Sequence, residues 1–271
     1  MPKTWLIAGA SRGMGRELVE QLLARGDHVA ATVRNTADLA DLAERYGDRL
    51  WVRGLDVTDT PGLRAVVDEA FAGHDRIDVV VANAGYGVFG VAEDLSDEQI
   101  EAMIATNLTG SIQLARAATP HLRAQGSGLL MQMSSMGGQL AFPALSMYHV
   151  TKWGIEGFYE ALAPEVAPFG IRTTLIEPGM VRTGFFDAAT RVPPSEPYRG
   201  GPADRPPTTI DEMVDSQEKT VAAIIRAGDS DEPPRRLVLG SDAWHLVTEA
   251  LTSRLDEIKP QRYNAATADI G

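Results

Sequence analysis

The sequence contains no cysteine among its 271 residues. A disulfide framework, a thiolate metal site and a cysteine nucleophile are therefore excluded. Aromatic residues make up only 6% of the chain, and no apolar run approaches the ~20 residues that a membrane-spanning helix needs. The five histidines show no ligand spacing, so no metal site is predicted.

Positive charge is scarce as well. Lysine plus arginine number 25 against 37 aspartate plus glutamate, which gives a net charge of −12. An acidic surface repels nucleic-acid phosphates and anionic lipid, so neither a nucleic acid nor a membrane is predicted as a partner. The first apolar run, residues 5–8, is too short for a signal peptide. A cytoplasmic protein is therefore expected.

Short apolar runs alternate with helical patterns along the chain, and 44% of the residues are hydrophobic. The runs lie at residues 5–8, 29–33, 50–52, 77–82, 129–133, 173–176 and 237–239. They are continuous in apolar character, as in strands that are covered on both faces. The pattern predicts an α/β fold: a Rossmann-like, doubly wound parallel sheet of about seven strands with helices on both faces.

Prolines are concentrated in one stretch, residues 187–209. Its prolines are Pro193, Pro194, Pro197, Pro202, Pro206 and Pro207. A linker to a second domain is one interpretation, but the tail holds only a helix near 210–226, one strand and a helix near 243–257, which is too little for another core. We therefore expect one domain over residues 1–271, with a substrate lid at about 184–226.

A glycine-rich turn follows the first apolar run and opens into a helical pattern. Glycines let a diphosphate approach the backbone, and the helix N-terminus offers free amides. Glycines also occur in any tight turn, so the turn alone is weak support. With the strand before it and the helix after it, the segment predicts a dinucleotide site. Its expected contact residues are Gly9, Ser11, Arg12, Gly13, Met14 and Gly15.

The type of dinucleotide is predicted from the end of the second run. An acidic residue at that position would bind a free ribose 2′-hydroxyl. The sequence there is Thr32-Val33-Arg34-Asn35, without an acid. Arg34, together with Arg12, can instead form charge-assisted bonds to a 2′-phosphate. NADP is therefore favoured as cofactor and NAD is less favoured; the alternative is that both arginines are solvated surface charges.

Tyr148 and Lys152 are four residues apart, so a helix places them on one face. A phenol beside an ammonium can exchange a proton with a substrate while a nicotinamide exchanges a hydride. Spacing alone also fits a half-buried tyrosine with a lysine extended beside it. His149 points about 100° away around the helix and is interpreted as a surface or packing residue.

Three motifs occur together in order: Gly9-x-x-x-Gly13-x-Gly15, Asn83-Ala84-Gly85 and Tyr148-x-x-x-Lys152. In this combination the chain resembles the short-chain dehydrogenase/reductase family, in its compact single-domain branch. The resemblance implies four catalytic residues with distinct roles. Tyr148 is the general acid or base, Lys152 lowers the pKa of the phenol, Ser135 holds the substrate oxygen, and Asn107 positions a water for proton relay.

The resemblance also implies cofactor contacts beyond the glycine turn. Asp56 with Val57 holds the adenine, and the segment from Pro178 to Thr183 receives the nicotinamide. The implied contacts are Asp56, Val57, Asn83, Ala84, Gly85, Tyr148, Lys152, Pro178, Gly179, Val181 and Thr183. A homodimer or homotetramer is expected, although Pro164 is predicted to kink the helix that follows Tyr148, which puts the usual tetramer geometry in question.

The function that these residues predict is interconversion of a carbonyl and a secondary alcohol with NADP(H). Apolar residues flank the catalytic segments and favour a small molecule with a hydrophobic body, as for a ketoreductase. They are Met136, Phe142, Met180, Phe185 and Phe186. Two alternatives stay open: an NADP-binding redox sensor without turnover, and a lyase or epimerase with a tightly held cofactor.

Overall fold

In the computed structural model, which describes residues 2–204 and 213–270, seven strands form one parallel sheet and two short strands form another. In chain order the strands are β1 (Thr4–Ala8), β2 (His28–Val33), β3 (Leu50–Gly54), β4 (Val79–Ala82), β5 (Val88–Phe89), β6 (Gly128–Met133), β7 (Ile171–Pro178), β8 (Thr190–Arg191) and β9 (Arg236–Leu239). The large sheet has the order β3-β2-β1-β4-β6-β7-β9. The seven-stranded, doubly wound sheet predicted from the sequence is confirmed.

Helices connect the strands and cover both faces of the sheet. They are α1 (Gly13–Ala24), α2 (Ala40–Tyr46), α3 (Thr60–Gly73), α4 (Asp97–Met103), α5 (Ser111–Gln125), α6 (Ser146–Val166), α7 (Phe185–Ala188), α8 (Gln217–Asp229), α9 (Ser241–Ile258) and α10 (Arg262–Ala266). Side chains of α1 and α8 pack in one core layer, and those of α3, α5 and α6 pack in the other. No helix in the described ranges is long and apolar enough to cross a membrane.

The central strand β1 shows why the apolar runs are continuous. Its successive side chains point to opposite faces, so Trp5 and Ile7 belong to one core layer while Leu6 and Ala8 belong to the other. All four are buried. A strand that is covered on both faces has no position for a polar residue, and alternation of polar and apolar residues is lost.

The carboxyl ends of four neighbouring strands position the candidate site. From β1 the chain winds outward through β2 and β3 on one side and through β4, β6 and β7 on the other. Ligands of open α/β sheets bind where the winding reverses. The glycine turn follows β1, Asn83 follows β4, Ser135 follows β6, and Gly179 follows β7.

The stretch predicted as a lid, residues 184–226, is too long. The helix expected near 210–226 is α8, which begins at Gln217 and packs against α1 with Val221 and Ile224 fully buried. A helix buried in the core cannot open as a lid. A lid at the described residues 184–204 stays a prediction. Pro206, Pro207 and Ile210, which were part of the predicted lid and helix, lie outside the described residues.

The helix α6, which carries Tyr148, runs as one α-helix through Pro164. It ends at Val166 and is followed by the short 3₁₀ turn Ala167–Phe169. The proline thus lies in the last turn, where it marks the end of the helix and does not divide it. The helix is continuous across this proline, and a bend of its axis there stays a prediction.

Candidate active site

The glycine turn after β1 is built around close backbone contacts. Gly9 has a φ of 90°, and a Cβ there would lie 2.6 Å from the Ala84 backbone. At Gly15 a Cβ would lie 2.2 Å from the Gly9 carbonyl oxygen and 2.5 Å from Asn83 Nδ2. Two of the three turn glycines are therefore required by packing, independently of any ligand.

Asn83 ties the end of β4 to the glycine turn. Its Nδ2 donates to the Gly9 carbonyl oxygen at 2.6 Å, and its backbone amide donates to the Ala8 carbonyl oxygen at 3.0 Å. Two strand ends are thereby held in one geometry at the switch point of the sheet. Gly85, two residues on, leaves room for the side chain of Asn107, whose Oδ1 would lie 3.3 Å from a Cβ at that position.

The third turn glycine, Gly13, is open to the cavity. Its φ is 53°, and no atom lies within 4 Å of the position that a Cβ would occupy. The N-terminus of α1, at Gly13, has no side-chain cap, so its first amides are available to an anion. The residues present therefore fit a dinucleotide diphosphate, with Arg12, Gly13 and Met14 facing the cavity.

The segment predicted to hold adenine lies apart from the cavity. Asp56 accepts hydrogen bonds from the backbone amide and the hydroxyl of Thr58, at 2.9 and 2.7 Å. These bonds lower the pKa of Asp56, and the nearby charge of Arg34 adds to the effect. Val57 instead packs against Gly110, where a Cβ would lie 3.0 Å from its Cγ2. Arg34 is exposed beside this segment.

A cavity of about 650 Å³ lies at the carboxyl ends of the strands. Twelve of the predicted site residues line it: Arg12, Gly13, Met14, Asn83, Gly85, Ser135, Tyr148, Lys152, Pro178, Gly179, Val181 and Thr183. The other predicted residues do not line the cavity, and they are Gly9, Ser11, Gly15, Arg34, Asp56, Val57, Ala84 and Asn107. The structure thus brings together residues from five separate parts of the chain.

Lys152 is buried beneath the phenol of Tyr148. Its Nζ lies 5.5 Å from the centroid of the Tyr148 ring and donates to the Met133 carbonyl oxygen at 2.8 Å. Burial lowers the pKa of Lys152 to about 8, although the charge of Glu156 acts in the opposite direction. The ammonium is thus held beside the phenol by the end of β6.

Tyr148 has a higher pKa than a free tyrosine. Burial raises the pKa of the phenol to about 12, while a hydrogen bond with Ser135 acts to lower it. The lowering expected from Lys152 is not among the causes of this pKa shift, and desolvation dominates because a buried phenolate loses its hydration. Ser135 Oγ accepts a hydrogen bond from the Gly137 amide at 3.0 Å, so the Ser135 hydroxyl can donate its own proton to the Tyr148 oxygen or to a substrate oxygen in the cavity.

Asn107 lies in the π-helical segment Ile104–Gly110, between α4 and α5. Its Oδ1 accepts from the Tyr86 amide at 3.0 Å, and its Nδ2 donates to the Tyr86 carbonyl oxygen at 2.8 Å and to Thr151 Oγ1 at 3.4 Å. Segments of π-helix are frequent at functional sites. Asn107 thus braces the chain after β4 against α6, and its role in a proton relay stays a prediction.

Two aspartates support the segment after β7, Asp242 through its carboxylate and Asp215 through its backbone carbonyl. Asp242 Oδ2 accepts from the Met180 amide at 2.8 Å, and the Asp215 carbonyl oxygen accepts from the Arg182 amide at 3.0 Å. Burial and the adjacent charge of Asp242 raise the pKa of Asp215 to about 6. The pair was not predicted, because nothing in the local sequence pattern relates two aspartates on either side of β9.

Replacing Asp242 by asparagine is expected to change the pH dependence of stability. Because the folded pKa of Asp215 lies above its ordinary value of 3.8, the stability linked to its proton is present below pH 3.8 and is lost as pH rises through about 6. The variant keeps an acceptor for Met180 and removes the repulsion, so its Tm should exceed that of the wild type by about 2–4 °C at pH 7.5. Calorimetry at pH 7.5 and 4.5 measures this.

The gain in Tm should shrink at pH 4.5, where Asp215 is protonated in the wild-type protein. A matched substitution, Asp231→Asn, should leave the difference between the two pH values unchanged, because Asp231 is an exposed aspartate away from this pair. If the Asp242 variant were equally shifted at both pH values, the repulsion between the two carboxyl groups would not be the cause.

The doubly wound parallel sheet, with its glycine turn and a cavity at the carboxyl ends of the strands, defines an α/β protein of the Rossmann-like, dinucleotide-binding type. A family model described as short chain dehydrogenase matches residues 3–192. The chain therefore belongs to the short-chain dehydrogenase family, whose members are NAD(P)-dependent oxidoreductases.

Individual relatives agree with this assignment. The chain is 38% identical to oxidoreductase BOA17 of Botryotinia fuckeliana over 248 residues. The aligned region covers 90% of each chain. It is similar to the crystal structure of a short-chain dehydrogenase from Streptomyces avermitilis, with a TM-score of 0.90 and 35% identity over 100% of both chains. An alcohol dehydrogenase from Thermococcus sibiricus, in complex with 5-hydroxy-NADP, has a TM-score of 0.74 and 25% identity over 88% of this chain and 96% of that chain.

Proposed function

We propose that the protein is an NADP(H)-dependent oxidoreductase that interconverts a carbonyl and a secondary alcohol, acting as a ketoreductase on a hydrophobic substrate. The observation that carries the proposal is the convergence in one cavity of Ser135, Tyr148 and Lys152 with the open glycine Gly13. These residues come from three different segments, so their meeting is a property of the fold. A tyrosine with only a packing role would not require Ser135, Lys152 and Gly13 to face the same cavity.

The chemistry divides between cofactor and protein. Bound NADPH supplies a hydride to the carbonyl carbon. The Ser135 hydroxyl donates a hydrogen bond to the carbonyl oxygen, on which negative charge develops. The Tyr148 hydroxyl gives its proton to that oxygen as general acid, which leaves a phenolate and yields the alcohol. The Lys152 ammonium lies beside the phenolate and stabilises it electrostatically.

The raised pKa of Tyr148 suits the role of general acid. With a pKa of about 12 the phenol is protonated at neutral pH, as a general acid must be. Oxidation of an alcohol would start from the phenolate, which needs more stabilisation than the protein groups around Tyr148 supply. A positively charged oxidised nicotinamide would add to that stabilisation. We therefore assign Tyr148 the role of proton donor when the carbonyl is reduced.

An apolar wall supports a substrate with a hydrophobic body. Its residues line the cavity around Tyr148, and they are Phe89, Met136, Phe142, Met180, Phe185, Phe186 and Val192. The Phe185 ring packs edge-on to Tyr148, with 5.8 Å between centroids, and Phe186 lies 5.8 Å from Phe89. A hydrophobic ketone would bury apolar surface here, while only its oxygen would meet polar groups.

The preference for NADP rests on the exposed arginines near the cofactor segment. Replacing Arg34 by aspartate is expected to shift the ratio of kcat/KM for NADPH over NADH toward NADH by about 10-fold or more, because a charge-assisted bond to the 2′-phosphate is lost. The NADP analogue bound to the Thermococcus sibiricus relative supports the same preference. Steady-state kinetics with both cofactors measures the shift.

A control variant separates recognition of the phosphate from general loss of charge. Arg45→Asp changes an arginine on α2 that stacks on Tyr46, and it should leave the cofactor ratio unchanged. If Arg34→Asp also left the ratio unchanged, the assignment of NADP through this residue would be wrong.

The proposed function is tested by a panel of ketones assayed separately with NADPH and NADH, following the loss of cofactor absorbance. Reduction of an alicyclic or aromatic ketone with NADPH supports the proposal. NADPH binding without consumption across the panel would instead support a redox sensor. Redox-neutral conversion by protein that retains NADP after purification would support a lyase or epimerase.

Two further expectations concern the protein as a whole. A homodimer or homotetramer and a cytoplasmic location stay predictions from the sequence. Sedimentation of the purified full chain tests the first of them directly.

A further inference from the structure

The residue next to the candidate catalytic tyrosine is buried and fully hydrogen-bonded. His149 Nδ1 lies 2.8 Å from the Gly137 carbonyl oxygen, and His149 Nε2 lies 2.8 Å from the Phe142 amide nitrogen. A carbonyl oxygen only accepts and an amide only donates, so Nδ1 carries the proton and Nε2 is the acceptor. The contacts therefore require the neutral imidazole, and burial lowers the pKa of His149 accordingly.

The two partners belong to one short loop between Ser135 and α6, Gly137 at its start and Phe142 five residues further on. The loop runs from Gly137 to Leu145, and Phe142 and Leu145 line the cavity. One side chain thus bridges the segment beside Ser135 and the segment that forms the apolar wall.

Other contacts hold the same loop to the protein. The Gly90 amide donates to the Ala144 carbonyl oxygen at 2.9 Å, and Trp153 Nε1 donates to the Leu140 carbonyl oxygen at 3.3 Å. Ala144 has a φ of 63°, a left-handed conformation that costs a non-glycine residue free energy. Such a conformation persists only where neighbouring contacts hold it, and His149 provides two of them across the loop.

The fit of the imidazole depends on glycine at position 137. A Cβ there would lie 3.0 Å from His149 Cε1 and 3.1 Å from His149 Nδ1. Because residue 137 is glycine, the loop backbone lies closer to the imidazole ring than a residue with a side chain would permit. This close packing is independent of the two hydrogen bonds.

We propose that His149 is a positioning residue for substrate, whose neutral imidazole holds the loop 137–145 so that Phe142 forms part of the substrate wall beside Ser135. His149 itself lines the cavity beside Tyr148, but Gly137 and Phe142 occupy both of its ring nitrogens, so we assign it no proton transfer in the reaction. The proposal rests on the proposed function, because it assigns this wall to the ketone. It predicts an effect on substrate binding that is separate from cofactor binding.

Two substitutions of His149 each keep one of its two side-chain hydrogen bonds and remove the other. In His149→Asn the amide falls near the Nδ1 position and can donate to Gly137, but it is too short to reach Phe142. In His149→Gln the amide oxygen extends to the Nε2 position and can accept from Phe142. Val150→Gln, at an exposed position on the same helix, is the control for a change of helix surface.

With 2-decalone as probe ketone and NADPH as cofactor, His149→Asn is expected to raise the KM for decalone about fivefold or more, the effect of losing one hydrogen bond that orders the wall. The KM for NADPH should stay within twofold of the wild type. His149→Gln should recover most of the decalone KM, and Val150→Gln should resemble the wild type. Equal KM values in the Asn variant and the wild type, or a parallel rise for NADPH, would overturn the proposal.

Hydrogen exchange followed by mass spectrometry gives a readout that needs no turnover. Peptides covering residues 137–145 should exchange faster in His149→Asn than in wild-type protein, whereas His149→Gln should stay close to the wild type. If wild-type protein reduced no ketone, the proposed function would fail, while this exchange result would still decide whether His149 holds the loop. If exchange over residues 137–145 were unchanged in His149→Asn, the claim that His149 holds the loop would be wrong.

A second variant covers the case in which His149→Asn does not fold. Gly137→Ala places a methyl group against the imidazole and should loosen the same loop, with faster exchange over residues 137–145 and a raised decalone KM. Wild-type values of both quantities in this variant would contradict the proposed contact.

Discussion

Replacing Tyr148 by phenylalanine is expected to lower kcat for ketone reduction by roughly 10²-fold or more while leaving the Kd of NADPH nearly unchanged. The variant keeps the ring and its edge contact with Phe185, but it removes the proton that the alkoxide receives. Ser135 would still donate to the substrate oxygen, so residual turnover is expected. Stopped-flow single-turnover kinetics and fluorescence titration of NADPH measure the two quantities.

The same helix offers a matched control. Tyr159 is a buried tyrosine of α6 that belongs to the core and does not line the cavity. Tyr159→Phe deletes the same atom from the same helix and should leave kcat within a few-fold of the wild type. Normal turnover in the Tyr148 variant would exclude the phenol as the proton donor, and an equal loss in both variants would indicate damage to the helix.

Replacing Gly15 by alanine is expected to destabilise the protein and to weaken cofactor binding together. The new Cβ would lie 2.2 Å from the Gly9 carbonyl oxygen, and neither backbone can move without breaking the contact with Asn83. Overpacking of this kind costs about 2–3 kcal/mol, which corresponds to a Tm lowered by about 5–10 °C for a chain of this size. Displacement of the turn should raise the Kd of NADPH about 10-fold or more.

A glycine in open space is the control for this substitution. Gly157 lies in α6 with no atom within 4 Å of a Cβ, so Gly157→Ala should leave the Tm unchanged or raise it, since alanine favours the helix by about 0.5–1 kcal/mol. Calorimetry and NADPH titration on both variants compare them. A Gly15 variant as stable as the Gly157 variant would show that the turn adapts, and the packing argument would be wrong.

The sheet was predictable because its signal is local. The inner strands β1, β4 and β6 are short apolar runs that are buried on both faces, so their positions can be predicted without knowing their neighbours. The glycine turn was predictable for a similar reason, since a strand, a turn and a helix follow one another directly. The pairing of Tyr148 with Lys152 likewise needs only the helical repeat.

Other features depend on residues that are distant in sequence. The small sheet joins Val88–Phe89 to Thr190–Arg191, and two-residue strands have no recognisable period. Helix α8 was predicted as part of a lid, because nothing in its own pattern shows that its apolar face packs against α1. His149 was interpreted as a surface or packing residue; the structure shows that it is packed and that it bridges a loop.

What the chain determines by itself is therefore the parallel sheet, the dinucleotide turn and the types of residue available for proton transfer, since each follows from periodicity, backbone freedom or side-chain chemistry within a short segment. Only the tertiary structure decides the state of those groups. Desolvation by distant elements raises the pKa of Tyr148 and lowers that of Lys152. Long-range packing also decides which residues face the cavity, because burial and hydrogen bonding depend on neighbours that the local sequence does not specify.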